Sequence, residues 1–173
     1  MKYLYTPYDV AIFLIISNFT QSDERAVLRD IWENDRDSIS VKYRKDEVFF
    51  RRHVHLELSK YDGTLDELDE LNLLMRDTSH MLYIDGVLNE QGVVEEYFKI
   101  IKLELVYSKG KDYRKIKLRR LLKAFGYKRR STKLVDGIRR TLDKLELKTY
   151  LRGYVPCDIA EIGIDDTVII RVK

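Results

Sequence analysis

Gly126 separates two apolar patterns of helical period, and this arrangement restricts the possible folds more than any other feature of the chain. Before it, Ile116, Leu118, Leu121, Leu122 and Phe125 mark a short helix. After it, Leu134, Val135, Ile138, Leu142 and Leu145 recur at three and four, with Ser131 or Thr132 in position to open the segment. Glycine enters the left-handed conformation that closes many helices without steric cost, so Gly126 reads as a helix C-terminus. A short strand at 149–151, a turn at Arg152 and Gly153, and a final strand over 166–172 follow.

Helix, glycine turn, helix and β-ribbon is the order of a winged helix-turn-helix, and an amphipathic helix over 90–107 supplies the first of three helices. Residues 103–107 also alternate, which leaves a strand open there. The expected fold class is therefore α+β: a mostly helical N-terminal part with a β-hairpin, then a winged-helix-like C-terminal domain. The boundary is expected near Gly110, giving an acidic domain over 1–108 and a basic one over 109–173. The charge follows that division. Residues 109–155 carry 17 Lys/Arg against four acids, a net of +13. Residues 1–108 carry a net of −8, the tail from 156 to 173 carries −2, and the whole chain is +3. A cationic block of this kind attracts polyanions, nucleic acid first among them.

On this reading the helix after Gly126 is the recognition helix. Its solvent face shows Lys133, Arg140 and Lys144, with Lys128, Arg129 and Arg130 at its N-terminal edge and Lys148 and Arg152 along the wing. Arginine forks match phosphate and guanine edges, and lysine acts as a point charge. Tyr150 and Tyr154 interleave with these cations, as stacking or backbone contact requires. The alternative is that the basic face docks on an acidic protein surface, including the chain's own N-terminal half.

The pattern Leu118-x-x-Leu121-Leu122-x-x-Phe125-Gly126-x-x-Arg129-Arg130, followed by Val135-x-x-Ile138-Arg139-x-x-Leu142, resembles a small domain of bacterial proteins of unclear role. In several of them it precedes CBS regulatory domains. Leu147, Pro156 and Ile164-Asp165 are similar to its closing portion, so the resemblance covers about residues 115–173. It implies a regulatory or targeting module without catalytic residues. No CBS pair follows here, and adenosine-ligand regulation is not carried over.

The N-terminal part begins with Thr6-Pro7-Tyr8-Asp9, a helix start with a cap, a proline at the first helical position and an acid in the first turn. The segment after it is apolar nearly all round and reads as a buried helix. A second helix opens at Ser22-Asp23-Glu24, with Ala26, Val27, Leu28, Ile31 and Trp32 as its buried stripe. Beyond Asp37, apolar residues alternate: Ile39, Val41 and Tyr43, then Val48, Phe50, Val54, Leu56 and Leu58. That period of two predicts a hairpin turning at 44–46, with a helix over 47–60 as the competing assignment. Thr64-Leu65-Asp66-Glu67 is a capping box for a helix to about Arg76, and a short strand ending at Ile84 precedes a turn at Asp85-Gly86.

If 47–59 were a strand, His53, His55 and Glu57 would share one face and offer a weak metal site, completed by Asp35, Asp37 or His80. A metal-dependent hydrolase is the third reading on that basis. No glycine-rich phosphate loop, Cys–His pair or G-x-S-x-G is present, and the acids of 62–70 lack EF-hand spacing. No cofactor is implied, and the expected protein is not an enzyme. The lone Cys157 excludes an intrachain disulfide and, with no signal pattern at the N-terminus, points to the cytoplasm. The apolar run at 10–16 is too short to cross a bilayer, so membrane partners are not expected. The expected partner is nucleic acid, duplex DNA in the first place. A protein partner or a homodimer would use the acidic part, as in a small accessory subunit of a bacterial defence or regulatory complex.

Overall fold

The computed structural model describes residues 4–61, 83–84, 87–88 and 90–173. The chain divides into two compact units, Met1–Leu74 and Met75–Lys173. The division lies well before Gly110 and assigns the helix over 90–107 to the second unit. The fold is mixed α+β with a helical N-terminal part.

The first unit is built on α1 (Pro7–Ser17), α2 (Gln21–Asp35) and α3 (Glu47–Leu58), with single turns of tighter helix at Arg36–Ser38 and Ser59–Tyr61. Thr6 and Asp9 form a reciprocal cap: the Thr6 backbone N–H donates to the Asp9 carboxylate at 2.7 Å, and the Asp9 N–H donates to the Thr6 hydroxyl at 3.3 Å. Val10, Ala11, Ile12, Phe13 and Leu14 are all buried, as a helix apolar on every side must be. α1 packs on α3, from which Phe50 and Val54 enter the core. From α2 come Leu28 and Ile31, with Trp32 half-buried and stacked on Phe50 at 5.9 Å. Ala26, expected in that stripe, is exposed.

The hairpin expected over 39–58 is not formed. Residues 41–45 make a turn, and α3 takes the place of the second strand. Asp46 explains the outcome: its carboxylate accepts the Phe49 N–H at 2.8 Å and caps α3. The apolar residues then separate by helical angle. Phe50 and Val54 are buried, whereas Val48 is 76% and Leu56 53% exposed. The predicted capping box at 64–67, the helix after it and the turn at 85–86 lie outside the described residues.

The second unit starts with a short antiparallel pair, β1 (Tyr83–Ile84) and β2 (Val87–Leu88), and continues into α4 (Glu90–Tyr107). α4 remains helical through 103–107. Next come β3 (Arg114–Lys117), α5 (Leu118–Ala124), α6 (Thr132–Lys144), β4 (Leu147–Leu151), β5 (Val155–Pro156) and β6 (Thr167–Val172). The strands form one antiparallel sheet in the order β3-β6-β4-β5, so the last strand lies between two earlier ones. Ile116, Val168 and Ile170 point to its buried side, with α4 against β6 and α6 against β4. Tyr97 and Phe98 of α4 meet Phe125 at ring distances of 5.2 and 6.1 Å. Glu104, 1% exposed, receives Lys111 at 2.8 Å and Arg114 at 3.1 Å, which anchors the start of β3 to α4. Among the described residues no helix is long and apolar enough to cross a membrane.

Candidate nucleic-acid interface

The turn between α5 and α6 is set by Gly126 at φ +80°. The Tyr127 N–H donates to the Leu122 carbonyl at 3.0 Å and the Gly126 N–H to the Lys123 carbonyl at 3.0 Å, which closes α5 as a Schellman-type end. α6 opens at Ser131, whose hydroxyl accepts the Leu134 N–H at 3.2 Å. Leu134, Val135, Ile138, Thr141 and Leu142 face the core. Helical geometry then leaves Lys133, Asp136, Arg140 and Lys144 on one solvent face, spread over about 16 Å.

The eight cations expected at this surface do not share one environment. Lys128 and Arg129 are exposed in the turn and, among the described residues, make no side-chain hydrogen bond or ion pair. Lys133, Arg140 and Lys144 project from α6; the Arg140 Nε donates only to the Asp136 carbonyl one turn back, at 3.3 Å. Lys148 is exposed on β4 and Arg152 at the β4–β5 turn. Arg130 is different. It is half-buried, and its Nη1 donates to the carbonyls of Ile159, Ala160 and Ile162 at 2.9, 2.8 and 2.6 Å. Through that one nitrogen it fastens the 159–162 loop.

Other arginines of the block are also held within the unit. Arg139 forms a two-point pair with Asp158, at 3.0 and 2.6 Å, and lies 3.6 Å from Asp136. Arg119 pairs in the same way with Asp165, at 2.7 and 2.9 Å. These hydrogen bonds hold the Asp158 and Asp165 carboxyls below the usual carboxylate range. Arg171 of β6 bonds Asp112 at 2.9 Å and the Tyr154 hydroxyl at 2.7 Å. Partial burial pushes the Cys157 thiol up, which disfavours the reactive thiolate.

The metal reading fails on geometry. On α3, His53 and His55 are about 200° apart around the axis and cannot chelate together. His53 is half-buried, its Nδ1 is 2.8 Å from the Phe49 carbonyl, and its ring packs on Phe49 at 4.1 Å and Tyr43 at 5.2 Å. Glu57 pairs with Lys60 at 2.6 Å. No cluster of three or more His, Cys, Asp or Glu with metal-binding geometry exists among the described residues. The proposed third ligand His80 lies outside them.

Sequence reasoning missed Tyr113, Lys115 and Arg171. They join Tyr150, Arg152 and Tyr154 around a pocket of about 240 Å³ on the outer side of the sheet. The signal was present in the alternation of 113–117 and 167–172, which sends Lys115, Ile169 and Arg171 outward. Their pairing with Tyr150 and Lys148 depends on a register the sequence does not contain. No family model, curated protein or solved structure matches this chain.

Proposed function

We propose that the second unit is a winged-helix domain that binds nucleic acid, duplex DNA in the first place, with α6 as the recognition helix and the β4–β5 ribbon as the wing. The carrying observation is that acids within and beside the block already have cations: Asp136 and Asp158 have Arg139, Asp143 has Lys173, Asp165 has Arg119, Asp112 has Arg171 and Glu104 has Lys111 and Arg114. Lys128, Arg129, Arg140, Lys148 and Arg152 are exposed and supply a cationic surface for phosphates, with Lys133 and Lys144 exposed beside Arg140 on α6. The helix–strand–helix–helix order followed by three strands, with the last strand between β3 and β4, supports the same reading. A cytoplasmic regulatory role fits the single free cysteine.

The test is fluorescence anisotropy with a labelled duplex across ionic strength. Five or so phosphate contacts give a log–log salt slope of about −4 to −5. No binding at low salt, or affinity indifferent to salt, overturns the reading.

A second reading concerns the first unit. Val48, Phe49 and Leu56 of α3 are 76%, 40% and 53% exposed, an apolar strip suited to a protein partner or a homodimer. Light scattering after size exclusion would show a dimer that persists at high salt if the contact is apolar, and one that dissociates if it is held by charge.

A further inference from the structure

The outer face of the sheet in the second unit is not a plain basic surface. Along β3, β6 and β4, the rows Lys115–Ile169–Tyr150 and Arg171–Lys148 point away from the core. Tyr113 precedes this face and Tyr154 folds over it from the ribbon turn, where it takes φ +62°. Three tyrosines and three cations, Lys115, Arg152 and Arg171, enclose the 240 Å³ pocket.

The side chains are already ordered. The Arg171 guanidinium lies 4.5 Å from the Tyr154 ring and 5.2 Å from Tyr113, and the Lys115 ammonium lies 4.9 Å from Tyr113. Tyr150 and Tyr154 meet edge to face at 6.3 Å. Even so, Tyr154 remains 65% and Tyr113 42% exposed, and the buried Arg171 Nε has no hydrogen-bond partner. Cations alone would suit any phosphate. Exposed aromatic rings beside them suit a ligand that brings a flat apolar face together with its charge, as a nucleotide does.

We propose that this pocket binds one unpaired nucleotide of a single-stranded nucleic acid, with the base on Tyr150 and Tyr154 and the phosphate on Lys115 and Arg152, beside Arg171, which Asp112 and the Tyr154 hydroxyl hold in place. A base inside a duplex is stacked on its neighbours and cannot enter, so the site selects single strands, flipped bases or frayed ends. The proposal does not depend on duplex binding by α6, because apart from Arg152 of the ribbon turn its residues lie outside that surface.

The experiment uses the full chain and three labelled probes: an eight-nucleotide oligothymidylate, an abasic strand of the same length and charge, and a hairpin duplex. Tyr154→Asn removes the ring while keeping a residue tolerant of positive φ. It is expected to weaken oligothymidylate binding about fivefold or more, and duplex binding by clearly less than that. Lys115→Gln should weaken the oligothymidylate and the abasic strand together. Equal binding of the abasic strand and the oligothymidylate by the wild type, or unchanged oligothymidylate affinity in Tyr154→Asn, overturns the proposal. Loss of duplex binding with oligothymidylate binding retained removes the α6 reading and leaves this one standing.

Discussion

The solvent face of α6 and the seam where α5 and α6 meet residues 158–166 carry the same kinds of cation in different surroundings. On the α6 side, Arg129 is exposed without a side-chain partner among the described residues, and Arg140 reaches only its own helix backbone. In the seam, Arg119, Arg130 and Arg139 are each held by two or more hydrogen bonds from the tail of the chain. Arg129 and Arg130 are adjacent and chemically identical, yet one faces solvent and the other closes a loop. The difference teaches that a count of cations overstates a binding surface until those with built-in acceptors are set aside.

Exchanging the two roles by mutation gives the largest effects. Arg130→Ala leaves three carbonyls without their charged donor and is expected to cost about 2–3 kcal/mol of stability, read as a fall in melting temperature, with duplex affinity preserved at a temperature where the variant is folded. The Arg129→Ala/Arg140→Ala double variant should do the opposite: about tenfold weaker duplex binding at low salt, a shallower salt slope and a melting temperature within about 2 °C of wild type. If Arg130→Ala behaved like Arg129→Ala in both measurements, the distinction between face and seam would collapse.

A smaller effect sharpens the comparison from the acid side. Asp158→Ala leaves Arg139, beside Arg140 on the same helix, with the more distant Asp136 as its acid, and duplex affinity should rise by about two- to threefold at low salt. Stability should fall by no more than about 1 kcal/mol, because the pair is partly solvated. The smallest effect is in pH. Asp158 and Asp165 have folded-state pKa values below their unfolded ones, so their contribution is complete above the ordinary aspartate range near 4. It is lost as pH falls through the lower folded values. Wild type should therefore lose slightly more melting temperature between pH 5 and pH 2.5 than Asp158→Asn/Asp165→Asn does, and equal losses would show the seam pairs to be inert.

The helical segments were legible where a local signal was unambiguous. Thr6, Pro7 and Asp9 start α1, Gly126 ends α5 and Ser131 caps α6, each through atoms within three or four residues. The misplaced hairpin has an arithmetical cause. Phe50, Val54 and Leu58 are spaced by four, which satisfies a period of two as well as one helical face. Asp46 could have broken the tie as a helix cap. The candidate surface was legible only as composition. The acceptors that engage Arg130, which was expected in that surface, and Arg139 and Arg119, which belong to the same basic block, lie 29 to 32, 19 and 46 residues away in the sequence. Concern at the sequence level centred on the acidic N-terminal part, whereas these neutralising partners belong to the slightly acidic tail.

β6 has a consequence for how the second unit comes into being. β3 and β4 have no ladder with each other; β6 lies between them and joins β3 to the β4–β5 ribbon. As the chain is synthesised from its N-terminus, β3 must wait unpaired, and β4 with β5 as its partner, until residues 167–172 have emerged. The same late segment brings Ile169 and Arg171 to the outer pocket. The joined sheet and the binding surface on its outer side therefore mature in one step at the end of synthesis, and a nascent chain stopped before Thr167 would have the β4–β5 ribbon alone.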